Sequence, residues 1–190
     1  MFSSTVIATI GRPSLARSVN SVLGQRFEAD DFEIIVVNDS GDSLPPEDWQ
    51  QSKRVRIIDT YRRERIVARD TGAAISRGRY LHFLDDDDWL LPGALQALYN
   101  LSRTSPAAWL YGATQLVDRA DSPLITLDHQ MQGNCFVQAM AGEWLPLQAS
   151  LINSKTFFKV GGFRHDLLVT QDVDLFRRVS LHDDIAGVSQ

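Results

Sequence analysis

Short apolar runs of strand length alternate with helix-patterned stretches through the first 84 residues, and that alternation restricts the chain to few folds. Residues 6–10 are a buried-strand run ended by Gly11 and Pro13. Ser14 can cap a helix in which Leu15, Val19, Val22 and Leu23 share one face, with Gly24 as its stop. Residues 32–37 read as a second buried strand, closed by the turn formers Asn38-Asp39-Ser40-Gly41. Residues 44–51, with Pro45-Pro46, suit a loop or a short helix, and 55–58 a third strand. A helix over 67–76 stops at Gly78, and a fourth strand, 80–84, runs straight into Asp85-Asp86-Asp87-Asp88. Parallel neighbours need crossovers, so this order predicts an α/β fold: a mostly parallel sheet with helices on both faces. Ligands bind such sheets beyond the carboxyl ends of the strands. Thr9, Asp39 and the aspartate run all stand at such ends, which points to one cleft.

The second half is less regular. Pro92 marks a helix start, with Leu95, Leu98 and Leu101 as its buried face. Residues 109–117 and 147–152 read as strands, 130–143 carry no clear pattern, 172–181 read as a helix, and 185–188 begin another strand. No repeat or linker divides the 190 residues, so one domain is expected over 1–190.

Four adjacent carboxylates repel one another and force some to hold protons unless a cation relieves them. Magnesium and manganese suit this role, since both take oxygen ligands and leave positions for phosphates and water. In an extended segment residues two apart share a face, so Asp85 and Asp87 would act together while Asp86 points elsewhere. The plainer alternative is a solvated acidic turn before the helix at Pro92. The other polar strand ends alongside favour the cation.

The net charge of -5 argues against a nucleic-acid partner, which would need clustered Lys and Arg. The run Tyr61-Arg62-Arg63-Glu64-Arg65 is the local exception, read first as a solvated loop and second as a contact for phosphates. The single cysteine, Cys135, excludes an internal disulfide and fits a reducing compartment. No signal-type leader precedes the first strand, and no run approaches the roughly 20 apolar residues that cross a bilayer. A soluble, cytoplasmic domain is expected, meeting any lipid-linked partner at the inner membrane face.

Four segments, in order, carry a resemblance to the family 2 glycosyltransferases. The first is Thr5-Val6-Ile7-Ala8-Thr9-Ile10-Gly11-Arg12-Pro13 with Val22-Leu23-Gly24-Gln25, and the second Glu33-Ile34-Ile35-Val36-Val37-Asn38-Asp39-Ser40-Gly41. The third joins Ala68-Arg69-Asp70-Thr71-Gly72 to Gly78-Arg79-Tyr80-Leu81-His82-Phe83-Leu84 and the aspartates. The fourth is Val160-Gly161-Gly162-Phe163-Arg164 with Gln171-Asp172-Val173-Asp174-Leu175. The resemblance implies a single-domain, A-type glycosyltransferase fold with a Rossmann-like sheet. Its nucleotide-binding half would span about 1–90 and its acceptor-side half about 91–190. It also implies inverting transfer of a sugar from a UDP-, dTDP- or GDP-linked donor to a glycan or lipid-linked acceptor, with Mn2+ or Mg2+ as cofactor.

By the same resemblance Asp39 contacts the nucleotide base, Thr9 lines that pocket and Arg69 belongs to the nucleotide site. On charge patterning alone Arg69 would instead pair with Asp70 or Glu64. Asp87 is the expected direct metal ligand and Asp85 a second one. Asp85 or Asp86 would hold the donor ribose or a metal-bound water. Asp172 matches the catalytic base, although a helix cap would also favour Asp there. Gly161-Gly162-Phe163 reads as a turn with Phe163 buried. Trp89 and Trp144 suit either sugar stacking or the core, and His165 and His182 suit the surface.

The chain departs from the family pattern at several positions. Ile10-Gly11 stand where Tyr-Asn is usual, Asp70 where Asn is usual, and Gln171 where Glu is usual. Arg164-His165 replace Asp-Glu. Family domains also commonly continue beyond the strand at Ile185 with helices near the acceptor. The alternative is a catalytically silent relative, a nucleotide-sugar-binding or scaffold domain whose acceptor half has decayed. A sugar-phosphate nucleotidyltransferase would show an early Gly-rich phosphate loop bearing Arg and Lys, which Gly11-Arg12-Pro13-Ser14 matches poorly.

Overall fold

The computed structural model describes residues 1–167 and 169–188. Its elements run β1 (Ser3–Thr9), α1 (Leu15–Leu23), β2 (Phe32–Asn38), β3 (Val55–Asp59), α2 (Arg65–Ala74), β4 (Tyr80–Phe83) and α3 (Ala94–Thr104). They continue with β5 (Trp109–Tyr111), β6 (Thr114–Val117), β7 (Pro123–Leu127), α4 (Phe136–Met140), β8 (Ser150–Asn153), α5 (Ser154–Lys159), α6 (Gln171–Ser180) and β9 (Ile185–Gly187). Among the described residues seven strands form one sheet in the order β3-β2-β1-β4-β8-β5-β9. β8 pairs antiparallel with both β4 and β5, and the remaining pairs are parallel. The mostly parallel α/β architecture is as expected.

Strand alternation sends side chains to two cores. Val6, Ile35, Val37, Trp109 and Tyr111 pack on one face with Ile66 of α2, Phe157 of α5 and Phe176 of α6. Ile7, Ile34, Val36 and Leu110 pack on the other with Val19 and Val22 of α1 and Leu95 of α3. Each such aliphatic side chain contributes about 1.5–3 kcal/mol by leaving water, so both faces hold the helices down. Gly72 lets α2 lie close on the sheet, since a Cβ there would collide with Val6 and press on Val37.

The second half corrects several expectations. Residues 109–117 are not one strand: Gly112 and Ala113 break the run, and β6 leaves the sheet to pair with β7 as a separate hairpin. Residues 147–149 form a 3-10 turn before β8. The unassigned stretch holds α4, and β7 and α5 carry no pattern that sequence reading caught. α3 begins at Ala94, behind Gly93 in the left-handed region at φ 85°, rather than at Pro92. Ser14 stands before α1 but makes no side-chain cap, and Thr170, not Asp172, occupies the cap position of α6.

Candidate functional site

The parallel strands β1, β2 and β4 aim their carboxyl ends at a cleft of about 280 Å3. Thr9, Asp39, Arg12, Arg65 and the run Asp85 to Asp87 line it. β1 lies between β2 and β4, so the direction of winding reverses beside it, where open α/β sheets bind ligands. Thr9 Oγ1 donates to Asp86 Oδ2 at 2.6 Å and accepts from the Gly11 amide at 2.9 Å.

Asp39, buried at the end of β2, binds the loop that follows β3. Its Oδ1 accepts from Thr60 Oγ1 at 2.6 Å and the Arg62 amide at 2.8 Å, and its Oδ2 accepts from the Glu64 amide. The Glu64 side chain then caps α2 through the amides of Ile66 and Val67. The basic run is therefore a loop wrapped around Asp39, with Arg63 and Arg65 reaching the cleft wall. Three bonds leave one acceptor place on Asp39 Oδ2.

Arg69 projects from the buried face of α2 and donates to Asp85 Oδ1. It pairs with neither Asp70 nor Glu64. Asp70 accepts from His165 Nε2 at 2.7 Å and from the Phe163 amide at 3.3 Å. Gln148 Nε2 donates to the second oxygen of Asp85 at 2.8 Å. Burial alone would push the Asp85 carboxyl up, but Arg69, helped by Gln148 and Arg65, holds it below the usual carboxylate range.

The aspartates leave the strand and turn, because the Asp88 amide donates to the Asp85 carbonyl at 3.1 Å. That turn brings Asp88 back over Asp85. Asp85, Asp87 and Asp88 each present an oxygen within 4.8 Å of the others, while Asp86 is buried and turned to Thr9 and Arg12. The pairing of Asp85 with Asp87 and the divergence of Asp86 match expectation. Asp88 was missed because the extended-chain rule does not apply inside a turn. Burial, with the charges of Asp85, Asp87 and Asp86 around it, pushes the Asp88 carboxyl up to about 6. A clustered set of hard oxygen donors under mutual repulsion fits a magnesium- or manganese-sized cation.

Asp87 also lines a second, larger cavity of about 900 Å3, with Asp88, Trp89, Trp144, Gln148 and Arg17. The Arg17 guanidinium lies 3.3 Å over the Trp89 ring, and its Nη1 reaches Asp121 beyond β6 at 2.9 Å. Trp89 and Trp144 thus face this cavity and lie outside both cores. Asp172 lies half-buried in the first turn of α6 and lines neither cavity. Its neighbour Gln171 approaches Arg65 at 3.5 Å, which ties α6 to the smaller cleft. Arg12 and Gln148 are site residues that sequence reading did not select, while Arg65 and Asp88 were read only as members of the basic run and of the aspartate run. Arg12, directly behind a strand end, carried a signal that could have found it.

The sheet order, with carboxylates at its switch point, fits the A-type glycosyltransferase fold, as the superpositions below show. The chain belongs to the family described as Glycosyl transferase family 2, whose profile matches residues 4–165. It is 31% identical over 103 residues to poly(ribitol-phosphate) beta-N-acetylglucosaminyltransferase TarP of Staphylococcus aureus, covering 52% of this chain and 32% of that protein. The crystal structure of S. aureus TarS 1-349 superposes with TM-score 0.78 at 13% identity, over 100% of this chain and 58% of that one. The same TarS piece in complex with UDP-GlcNAc superposes with TM-score 0.76 at 12% identity, over 100% and 59%. The chain therefore spans about a third of TarP and under two thirds of the TarS piece.

Proposed function

We propose that this chain is the catalytic part of an inverting, divalent-cation-dependent glycosyltransferase that uses a nucleotide-diphosphate sugar. The observation that carries the reading is the position of Asp87, in the wall shared by the smaller cleft and the 900 Å3 cavity. Donor and acceptor must meet at such a wall. The UDP-GlcNAc complex of TarS supports a uridine-linked donor over dTDP or GDP.

In this reading the nucleotide lies over β1 and β2, in the half spanning about 1–90. Asp39 accepts a base N–H at its remaining place, and Thr9 lines the pocket. Arg69 and Gln148 hold Asp85 ionised and oriented. Asp87, Asp85 and Asp88 would hold Mn2+ or Mg2+, and the cation supplies neutralisation of charge on the departing diphosphate. Asp86, committed to Thr9 and Arg12, shapes the cleft floor.

The acceptor, a glycan or a lipid-linked sugar, would enter the 900 Å3 cavity, where Trp89 and Trp144 offer aromatic faces. Asp172 lines neither cavity, and it is the proposed base on the family resemblance and on the contact of its neighbour Gln171 with Arg65 at the smaller cleft. It would take the acceptor hydroxyl proton as the oxygen attacks the anomeric carbon from the face opposite the leaving group. A single displacement inverts that carbon. No helix among the described residues is long and apolar enough to cross a membrane. A lipid-linked acceptor would be met from the cytoplasmic membrane face.

Transfer and donor hydrolysis assayed with UDP-GlcNAc and Mn2+, comparing wild type with Asp87→Ala and Asp172→Asn, test the reading. Turnover that both substitutions abolish supports it. Mn2+-dependent UDP binding without turnover on any acceptor would make the chain a silent nucleotide-sugar binder.

A further inference from the structure

We propose that Arg12 is a built-in cation that occupies the aspartate cluster until a donor diphosphate draws it away, so that metal and nucleotide bind as a coupled pair. The inference rests on the cation-dependent reading above.

Arg12 Nη1 lies 2.9 Å from Asp86 Oδ1 and 2.8 Å from Asp87 Oδ2. One nitrogen thus bridges a buried carboxylate and one of the three that converge as a ligand set. Among the described residues the four aspartates have only two guanidiniums in direct contact, Arg12 and Arg69, while Arg65 acts on Asp85 from the cleft wall. The two contacting arginines are not equivalent. Arg69 is 5% exposed and locked between Asp85 and the Phe163 ring, whereas Arg12 is 48% exposed and bonds only within the cleft. Its backbone leaves β1 through Gly11, in the left-handed region at φ 82°, with open space where a Cβ would stand apart from Leu44 at 3.8 Å.

A divalent cation bound to Asp87 would lie within a few ångströms of this guanidinium. Like charges at that range repel strongly wherever water is partly excluded. The guanidinium therefore competes with the cation for Asp87. A diphosphate in the same cleft offers it planar, bidentate oxygens in exchange, a geometry that guanidinium matches well. When the diphosphate takes Arg12, Asp87 is released to the cation. Because coupling between two ligands is reciprocal, the cation must then strengthen nucleotide binding by the factor with which the nucleotide strengthens the cation. Arg12 is a positioning residue in this scheme: it acts through Asp87.

The test is Mn2+ binding to the full chain, followed by loss of the free Mn2+ paramagnetic signal, with UDP absent and then present. Arg12→Gln keeps a polar side chain and removes the charge, and should bind Mn2+ about tenfold more tightly than wild type without UDP. UDP should strengthen Mn2+ binding less in that variant than in wild type. Arg12→Lys keeps the charge and should match wild type in Mn2+ affinity without UDP, but UDP should strengthen its Mn2+ binding less, because an ammonium lacks the bidentate fork. Equal or weaker Mn2+ affinity in Arg12→Gln overturns the role of Arg12 and leaves the cation site standing. Absence of Mn2+ binding in every variant, with or without UDP, overturns the cation reading itself and Arg12's role with it.

Discussion

The Thr9 hydroxyl at the end of β1 donates to Asp86 Oδ2 at 2.6 Å, joining two strand ends separated by 77 residues of sequence. Asp86 is buried, and removing one of its donors leaves a carboxylate short of a partner in a place water reaches poorly. Thr9 also anchors the Gly11 amide, so the same hydroxyl fixes the start of the Arg12 segment. Thr9→Val should lower stability by about 1–3 kcal/mol, or roughly 2–10 °C in Tm, whereas Thr9→Ser should stay near wild type. Thermal melts of the two variants decide the matter, and equal melts would remove Thr9 from the architecture of the cleft.

Among the described residues Asp88 is the member of the cluster that makes no ion pair, and the Arg69 charge offsets its acidic neighbours only in part. Without a cation its charge opposes those of Asp85 and Asp87. Asp88→Asn should therefore stabilise the metal-free protein by about 1 kcal/mol near pH 7, a figure discounted for the solvent-exposed part of the side chain. The same substitution should shrink the rise in Tm that Mn2+ produces, since bound ligand stabilises only what binds it. A variant that keeps the full Mn2+ shift would exclude Asp88 from the ligand set.

The site was legible in the sequence where chemistry sits at strand ends. β1, β2 and β4 are apolar runs closed by polar residues, and a parallel sheet must bring such ends together. Arg69 is bonded to Asp85 at the edge of the cleft, a partner that was not legible. Local charge patterning offers Asp70 and Glu64, while the fold turns Arg69 inward to Asp85 and assigns the other two to His165 and a helix cap. Residues 109–117 failed for a different reason. Their apolar content satisfies a strand, but Gly112 and Ala113 let the chain change direction, and the hairpin of β6 and β7 packs outside the sheet. Gln148 joined the site only because a 3-10 turn carries it over Asp85, a geometry that no period in the sequence announces.

Asp172→Asn separates the two roles that an aspartate in the first turn of α6 can play. Its Oδ1 accepts from the Val173 amide at 2.9 Å, a bond that the amide oxygen of Asn can keep. Stability should change by less than about 1 kcal/mol, and UDP binding with Mn2+ should persist. Transfer should fall about 10²–10⁴-fold if the carboxylate takes the acceptor proton. Unchanged kcat would remove Asp172 as the base and move the search to the wall of the larger cavity.

His82 offers a pH test. It is fully buried on β4, and because the Gln148 carbonyl can only accept, His82 Nε2 carries the proton and Nδ1 accepts from Thr5 Oγ1 at 3.1 Å. Burial pushes its pKa down from 6.5 to about 4, against the smaller opposing pull of the Gln148 carbonyl. The unfolded chain therefore binds the proton first, and stability falls as pH drops from about 6.5 towards 4, by up to about 3 kcal/mol. Asp88, raised in the folded state, has the opposite sign below pH 6, so the comparison belongs in an Asp88→Asn background. There, denaturant melts of His82 and His82→Gln proteins should diverge as pH falls. Parallel curves would show that His82 is already charged in the fold.

The pairing of Asp70 with His165 joins two of the chain's departures from its family. The family pattern has Asn at the first position and Glu at the second, whereas here a carboxylate faces an imidazole at 2.7 Å. The pairing bears on the cleft because Asp70 also receives the Phe163 amide, and the Phe163 ring lies 5.7 Å from the Arg69 guanidinium that holds Asp85. His165→Glu alone sets two carboxylates against each other and should cost about 0.5–1 kcal/mol, a modest figure because His165 is half exposed. Adding Asp70→Asn should restore most of that loss, since the new amide can donate to the new carboxylate. A double-mutant cycle by chemical denaturation measures the coupling directly. Additive costs would mean that the two positions act independently and that the turn before α6 is held by its glycines and Phe163 alone.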